Sequence, residues 1–235
     1  MGVHDVRTKE FTSWPPSRIK LRSVSRRIAN VTLDNLADLP LRCRRCVFWE
    51  LTPVARARAE DSGDPAFEKE AWISATLLDW GSCGKIVYVD GVAAGFVLFA
   101  PPAHVPRGVA FPTSPVGPDA VLLMTSYILE EFQGQGLGRM LVQNLAKDMM
   151  RRGVRAIEAF GDVRGEAGHC VLPADHLLAV GFKTVRPHPR WPRLRLELKS
   201  TVTWREDMEV ALERLLGSMT PEGLLRPVGS GSSPA

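Results

Sequence analysis

At 235 residues, 45% apolar and 24% charged, the chain has the composition of one globular domain with or without appendages, which excludes wholesale disorder and fibrous classes. No segment approaches the roughly 20 consecutive apolar residues of a membrane span, and residues 1–30 lack the apolar h-region of a secretory signal. Four cysteines are too few for a disulfide framework in a chain of this size, so a reducing cytoplasm is the expected setting. The formal charge of +4 is local: residues 1–27 hold seven Lys or Arg against Asp5 and Glu10, and the remainder is close to neutral. Basic character thus belongs to an N-terminal arm, which argues against a nucleic-acid-binding face on the folded body.

The arm, residues 1–26, reads as flexible, and globular sequence begins at residue 27. Ile28 to Thr32 suits a first strand, and TLDNLADLP, ending at Pro40, suits a short helix. Asp64 is a good N-cap with Pro65 in the first turn. The helix that follows puts Phe67, Ala71, Ala75 and Leu78 on one face before Gly81 ends it. KIVYVDGVAAGFVLFA reads as two strands joined by Asp90–Gly91, a dipeptide suited to the positive φ angles of a tight hairpin. Residues 101–118 hold six prolines and no periodicity, the mark of a long loop.

Val121 to Leu129 is apolar on both faces, as in a central strand covered twice. Gly136 to Arg152 is a helix carrying Leu137, Leu141, Leu145 and Met149 at helical spacing, with Gly153 as its stop. Val154 to Phe160 is a strand, Pro173 to Val180 a helix closed by Gly181, and Phe182 to Arg186 and Leu194 to Lys199 the last strands. Thr203 and Glu206 make a capping box for a C-terminal helix over residues 201–216, and residues 217–235 read as a disordered tail. Met208, Leu212 and Leu215 on that helix either pack on the core or form the seam of a homodimer. A hairpin feeding a strand–helix–strand unit predicts an α/β domain with a mixed sheet flanked by helices.

The strongest chemical signal is QGQGLG, Gln133 to Gly138, between the central strand and the next helix. Glycines let successive backbone N–H groups converge, and the helix start adds its dipole, so such a turn suits a pyrophosphate. A dinucleotide fold would use Gly134 and Gly136 with Glu158 further on, but Arg139 replaces its third glycine and only one further strand–helix unit follows. GSCGKI at Gly81 lacks the Ser or Thr of a Walker loop.

The segment YILEEFQGQGLGRMLVQNLAKDMMRRGVRAIEAF resembles the acetyl-CoA-binding core of the GNAT N-acetyltransferase superfamily, a strand followed by Q/R-x-x-G-x-G/A, a helix and another strand. ADHLLAVGFKTVRP resembles that family's next helix with its terminal Gly-Phe, and the hairpin stands where the family places its second and third strands. The likeness spans roughly residues 27–200 and is specific in the centre. It implies a single α/β domain with a mixed, strongly twisted sheet, and transfer of an acetyl group from acetyl-CoA to an amine on a small molecule or a protein. By the same resemblance, backbone amides of Gln133, Gly134, Gln135, Gly136, Leu137, Gly138 and Arg139 hold the cofactor pyrophosphate. Tyr127, Ile128 and Leu129 pair with the pantetheine arm as an added strand does. A backbone N–H near Leu129 polarises the thioester carbonyl, and a carboxylate takes the amine's proton.

For that carboxylate, Glu158 is the first choice, because a charge inside the apolar run AIEAF needs a reason; pairing with an arginine such as Arg155 is the alternative. Glu130 and Glu131 follow the central strand and are the other candidates, with two solvated loop carboxylates as the competing reading. The family's general acid is a Tyr four residues before the Gly of Gly-Phe; here Leu177 stands there, with His176 beside it. That departure favours a second class of function, a GNAT-fold module that binds acyl-CoA or a partner without efficient turnover.

Cys43-Arg-Arg-Cys46 is a C-x-x-C. Zinc would need two more ligands, with only Cys83, His169 and Cys170 to draw on, so no metal site is assigned. A reversible disulfide and simple packing in an irregular loop beside Trp49 are the other readings. Trp191, in a proline-rich link, either walls an acceptor pocket or lids the core.

Overall fold

The computed structural model describes residues 24–165 and 170–198. Most of the basic arm, the C-terminal helix with its candidate dimer seam, the tail and His169 lie outside the described residues. In chain order the elements are β1 (Arg26–Asn30), α1 (Leu41–Arg44), α2 (Pro53–Ser62), α3 (Pro65–Trp80), β2 (Gly84–Val89), β3 (Val92–Ala100), β4 (Ala120–Ile128), α4 (Leu137–Arg151), β5 (Ala156–Asp162), β6 (Leu172–Pro173), α5 (Ala174–Ala179), β7 (Lys183–Arg186) and β8 (Arg193–Glu197). The sheet runs β1-β2-β3-β4-β5-β8-β7 with β6 added on β5. Among the described residues, only β4–β5 and β5–β6 pair in parallel; the other pairs are antiparallel.

The hairpin forms where the turn chemistry puts it. Asp90 at φ 48° and Gly91 at φ 86° supply the two positive angles that join β2 to β3. TLDNLADLP gives only a 3-10 turn at Leu36–Asp38 before α1. α2 was not predicted, because its sequence PVARARAEDS has no apolar stripe. Its ends hold it instead: the Thr52 hydroxyl accepts from the Ala55 N–H at 3.3 Å, Pro53 opens the first turn, and Gly63 closes it at φ 82°.

In α3 the expected buried face is wrong. Phe67 and Leu78 are 62% and 86% exposed, while Lys69, Ile73 and Thr76 point inward. The helix is turned so that Lys69 meets Glu50 in a buried ion pair, since neither charge can be left alone without solvent. The proline-rich segment 101–118 is packed rather than open: Phe111 stacks on Phe160 at 4.3 Å and on Trp49 at 5.2 Å.

Helices α1 and α3 and the 101–118 segment cover one sheet face around Ile86, Phe96, Leu122, Met124 and Phe160. α4 and α5 cover the other face, where Leu137, Leu141, Leu145 and Met149 of α4 meet Val97, Leu123 and Ile157. That stripe is the one the spacing predicts, and Lys85 of β2 pins its far end through Asp148 at 3.0 Å.

Candidate active site

The site follows from where two parallel strands stop pairing. β4 and β5 are in register only over Ala120–Leu122 against Ala156–Glu158. Past that point β4 continues to Ile128 and β5 to Asp162, and the two part. β5's outer edge is taken by β8 and the residues before it, with Gly161 N–H donating to Pro192 O at 2.8 Å. β6, paired with Gly161 and Asp162, therefore enters the gap that β4 leaves.

A bulge in β4 aims its end. Leu98 faces Thr125 and Phe99 faces Leu123, so Met124 is an extra residue. The extra residue flips the alternation: Tyr127 packs on the side of α1 and α3 and Ile128 on the α4 side. Gly95 makes this crossing close, since a Cβ there would strike the Ile128 side chain and meet Tyr127 O at 2.6 Å.

Backbone direction narrows one expectation, an N–H near Leu129. The Leu129 N–H donates to Ala94 O at 3.0 Å and is spent on the sheet. Backbone groups alternate along a strand, so the Ser126 and Ile128 amides face the parted edge, and Ile128 rather than Leu129 offers the N–H there. Leu129 instead lines a small cavity with Phe96 and Pro40 on the opposite side.

A cleft of about 610 Å³ lies along this edge, walled by Ser126, Ile128, the 133–139 turn, Leu172 and His176. Gly134 at φ 73° and Gly136 at φ 75° shape the turn, with open space where a Cβ would project from either. Among the described residues no side chain caps α4. Its first N–H groups, on Leu137, Gly138 and Arg139, therefore face the cleft with the positive end of the dipole. Gln133 braces the turn through its amide, which donates to Ile128 O at 3.3 Å. Gln133, Gly134, Gly136, Leu137, Gly138, Arg139, Tyr127 and Ile128 all line the cleft; Gln135 is exposed and does not.

The carboxylates are placed differently from the expectation. Glu158 is 2% exposed and fully engaged. Arg193 Nη1 donates to its Oε2 at 2.8 Å, Arg195 Nη1 to its Oε1 at 2.9 Å, and Gly117 N–H to Oε2 at 3.2 Å. Both carboxylate oxygens are taken up by these donors, and Glu158 lies where β4 and β5 still pair, away from the cleft walls. Its partners come from β8, opposite it in register, and not from Arg155. Arg195 also binds Asp119 and Glu197; these contacts raise its pKa, the Asp119 bond contributing most, and its guanidinium holds Asp119 below the usual carboxylate range. Glu130 and Glu131 sit in an exposed 3-10 turn after β4 and do not line the cleft.

Sequence reasoning missed Asp162. It ends β5 beside the gap and is 2% exposed; its Oδ1 accepts from Arg164 N–H at 3.0 Å, and its Oδ2 has no hydrogen-bond partner among the described residues. An acid at the carboxyl end of a parallel strand was the available signal. Leu177 is buried in the core and cannot serve the cleft. His176, one residue earlier, does reach it: its ring lies 3.7 Å from where a Gly138 Cβ would stand. The residue as a whole stays exposed, yet crowding by the cleft wall lowers its pKa through desolvation, which favours neutral imidazole.

On the opposite sheet face, a cavity of about 240 Å³ is lined by Phe48, Arg107, Phe111, Val171, Arg190 and Trp191. Trp191 meets Phe111 edge-on at 5.7 Å, so it walls this cavity and caps the aromatic stack at once. Val171 and Leu172, adjacent in the chain, line the two cavities.

The sequence model of the Acetyltransferase (GNAT) family matches residues 44–169. The chain belongs to the GNAT acetyltransferase family. Its members are acyltransferases whose cosubstrate is acetyl-CoA. Among solved structures, the PaiA N-acetyltransferase of Thermoplasma acidophilum in complex with coenzyme A is similar at 12% identity, over 74% of this chain and 99% of that one, with a TM-score of 0.50. A second acetyltransferase is similar at 18% identity, over 73% and 99% of the two chains, also at 0.50. An N-acetyltransferase of Staphylococcus aureus Mu50 is similar at 18% identity, over 74% and 99%, at 0.49. At these identities the likeness is one of fold. A search of curated proteins found no match. No helix among the described residues is long and apolar enough to cross a membrane.

Proposed function

We propose that this GNAT chain is an acetyl-CoA-dependent N-acetyltransferase that passes the acetyl group directly to an amine. The observation that carries the reading is the uncapped start of α4 facing a cleft beside a free β4 edge. The residues present fit acetyl-CoA: Gly134 and Gly136 leave open space beneath a set of converging N–H donors. Leu137, Gly138 and Arg139 would hold the pyrophosphate, with Gln133, Gly134, Gln135 and Gly136 forming the turn. The outward amides of Ser126 and Ile128 would pair with the pantetheine arm. Bound acetyl-CoA would supply an activated acyl thioester, its carbonyl polarised by one of these two outward N–H groups while the other pairs with the arm. The PaiA structure, described as a complex with coenzyme A, has the same fold and agrees with this use of it.

The acceptor amine must be neutral to attack. Asp162, buried at the end of β5 with one free oxygen, is our choice of proton acceptor in place of Glu158. The acceptor would enter by the cavity of Arg107 and Trp191, on the side of the sheet that Asp162 shares with Phe160. Glu130 and Glu131 are left as solvated carboxylates beside the turn. Four thiols suit a reducing cytoplasm, where this reading puts the enzyme.

The test is release of coenzyme A in the presence of a panel of amines. Asp162→Asn should lower the rate by roughly 10²–10⁴, the range for loss of a general base, with coenzyme A affinity unchanged. Raising the pH should restore part of the rate, because more of the acceptor is already neutral. Full activity in the variant would dismiss Asp162. The buried Leu177, standing where the family's acid belongs, favours one second reading: an acyl-CoA-binding module with little turnover. Tight coenzyme A binding with no release on any amine would establish it.

A further inference from the structure

Cys46 and Cys170 are 124 positions apart in sequence, yet their sulfurs lie 2.9 Å from each other. We propose that these two residues form a thiol pair that a hydroperoxide converts to an intramolecular disulfide. This site stands apart from the acyl-transfer reading. The C-x-x-C motif suggests pairing within itself, but Cys46 instead turns to Cys170, and Cys43 is not in hydrogen-bond contact with either.

The surroundings divide the two thiols into nucleophile and proton holder. The hydrogen bond between the two sulfurs, more than any other influence, lowers the Cys46 pKa. The Phe48 N–H assists, and burial opposes. The same bond, together with burial, raises Cys170. Of the charged groups facing Cys46, Glu50 opposes the thiolate and Lys69 favours it, and the two are paired with each other. The charge of Arg56 also couples to both sulfurs. Cys43 is pushed up, chiefly by burial, so it is the poorer nucleophile. Both residues are only partly buried, within reach of a small oxidant. The Trp49 indole N–H, donating to Cys170 O at 3.0 Å, holds the second cysteine in place.

The chemistry balances in two steps. The Cys46 thiolate attacks the terminal peroxide oxygen; an S–O bond forms, the O–O bond breaks, and the departing alkoxide or hydroxide takes a proton from water. Cys46 is oxidised by two electrons to a sulfenic acid, and the peroxide is reduced. The Cys170 sulfur then attacks the Cys46 sulfur; the S–S bond forms, and the S–O oxygen leaves as water carrying the Cys170 proton. The product fastens the strand that begins two residues later, β6, to the segment carrying Trp49.

The experiment treats the full chain with equimolar hydrogen peroxide at neutral pH, alkylates it, and maps its peptides by mass spectrometry without reduction. We expect a Cys46–Cys170 crosslink, reversed by dithiothreitol, with two free thiols lost per chain. Cys43→Ser should still form it, and Cys170→Ser should leave a Cys46 sulfenic acid that dimedone traps. At neutral pH, alkylation of untreated protein should be faster at Cys46 than at Cys43. A Cys43–Cys46 crosslink, four thiols that remain free, or stoichiometric zinc that shields them would each overturn the proposal.

Discussion

Gly136→Asp is expected to weaken coenzyme A binding on the order of 2 kcal/mol or more, roughly 30-fold, as measured by calorimetry. Gly136 stands immediately before the first turn of α4 at φ 75°, and the cleft opens where its Cβ would project. A carboxylate there would bring negative charge against the bound pyrophosphate and compete for the same N–H donors. The backbone also resists any side chain at positive φ, so the control is Gly136→Asn, which carries the same shape and the same strain without the charge. The Asn variant should lose only a few-fold. Equal losses in both would assign the effect to backbone strain, and wild-type affinity in the Asp variant would remove the phosphate-binding role from the turn.

Glu158→Gln should act on stability and leave catalysis alone. The two arginines opposite Glu158 are themselves only 13% and 15% exposed. Removing the carboxylate charge leaves Arg193 without its ion-pair partner at a nearly dry site. Breaking a buried ion pair from one side costs about 3–5 kcal/mol, and for a domain of this size that lowers Tm by roughly 10 °C. At temperatures where the variant stays folded, its turnover should match the parent. A turnover defect of two orders of magnitude with an unchanged Tm would instead return Glu158 to the role of base.

Glu158 also shows where sequence reading stops. That a charge in AIEAF needs a partner was legible; that the partners are Arg193 and Arg195 depends on β8 lying antiparallel to β5, which only the sheet supplies. Elements with strong local chemistry were legible in place: the Asp90–Gly91 hairpin, the α4 stripe and the glycine turn. α3 was legible as a helix but not in its orientation, because the Glu50–Lys69 pair outweighs the exposed Phe67 and Leu78 in choosing the buried face. Two features of the site have no periodic signature at all. The Met124 bulge is one extra residue in an apolar run, and β6 is two residues long, yet together they decide which β4 amides face the cleft. Asp162 went unread because a single acid after a strand looks like any loop carboxylate until its burial is known.

The central claim is that acetyl-CoA lies between the end of β4 and the start of α4. Hydrogen exchange of the full chain, with and without saturating acetyl-CoA, tests it most directly. The account predicts slowed exchange in two stretches, residues 126–139 and 172–180, centred on the Ser126, Ile128, Gly138 and Arg139 amides. Unchanged exchange in both stretches under saturating ligand, or protection confined to the Arg107–Trp191 cavity, would contradict it.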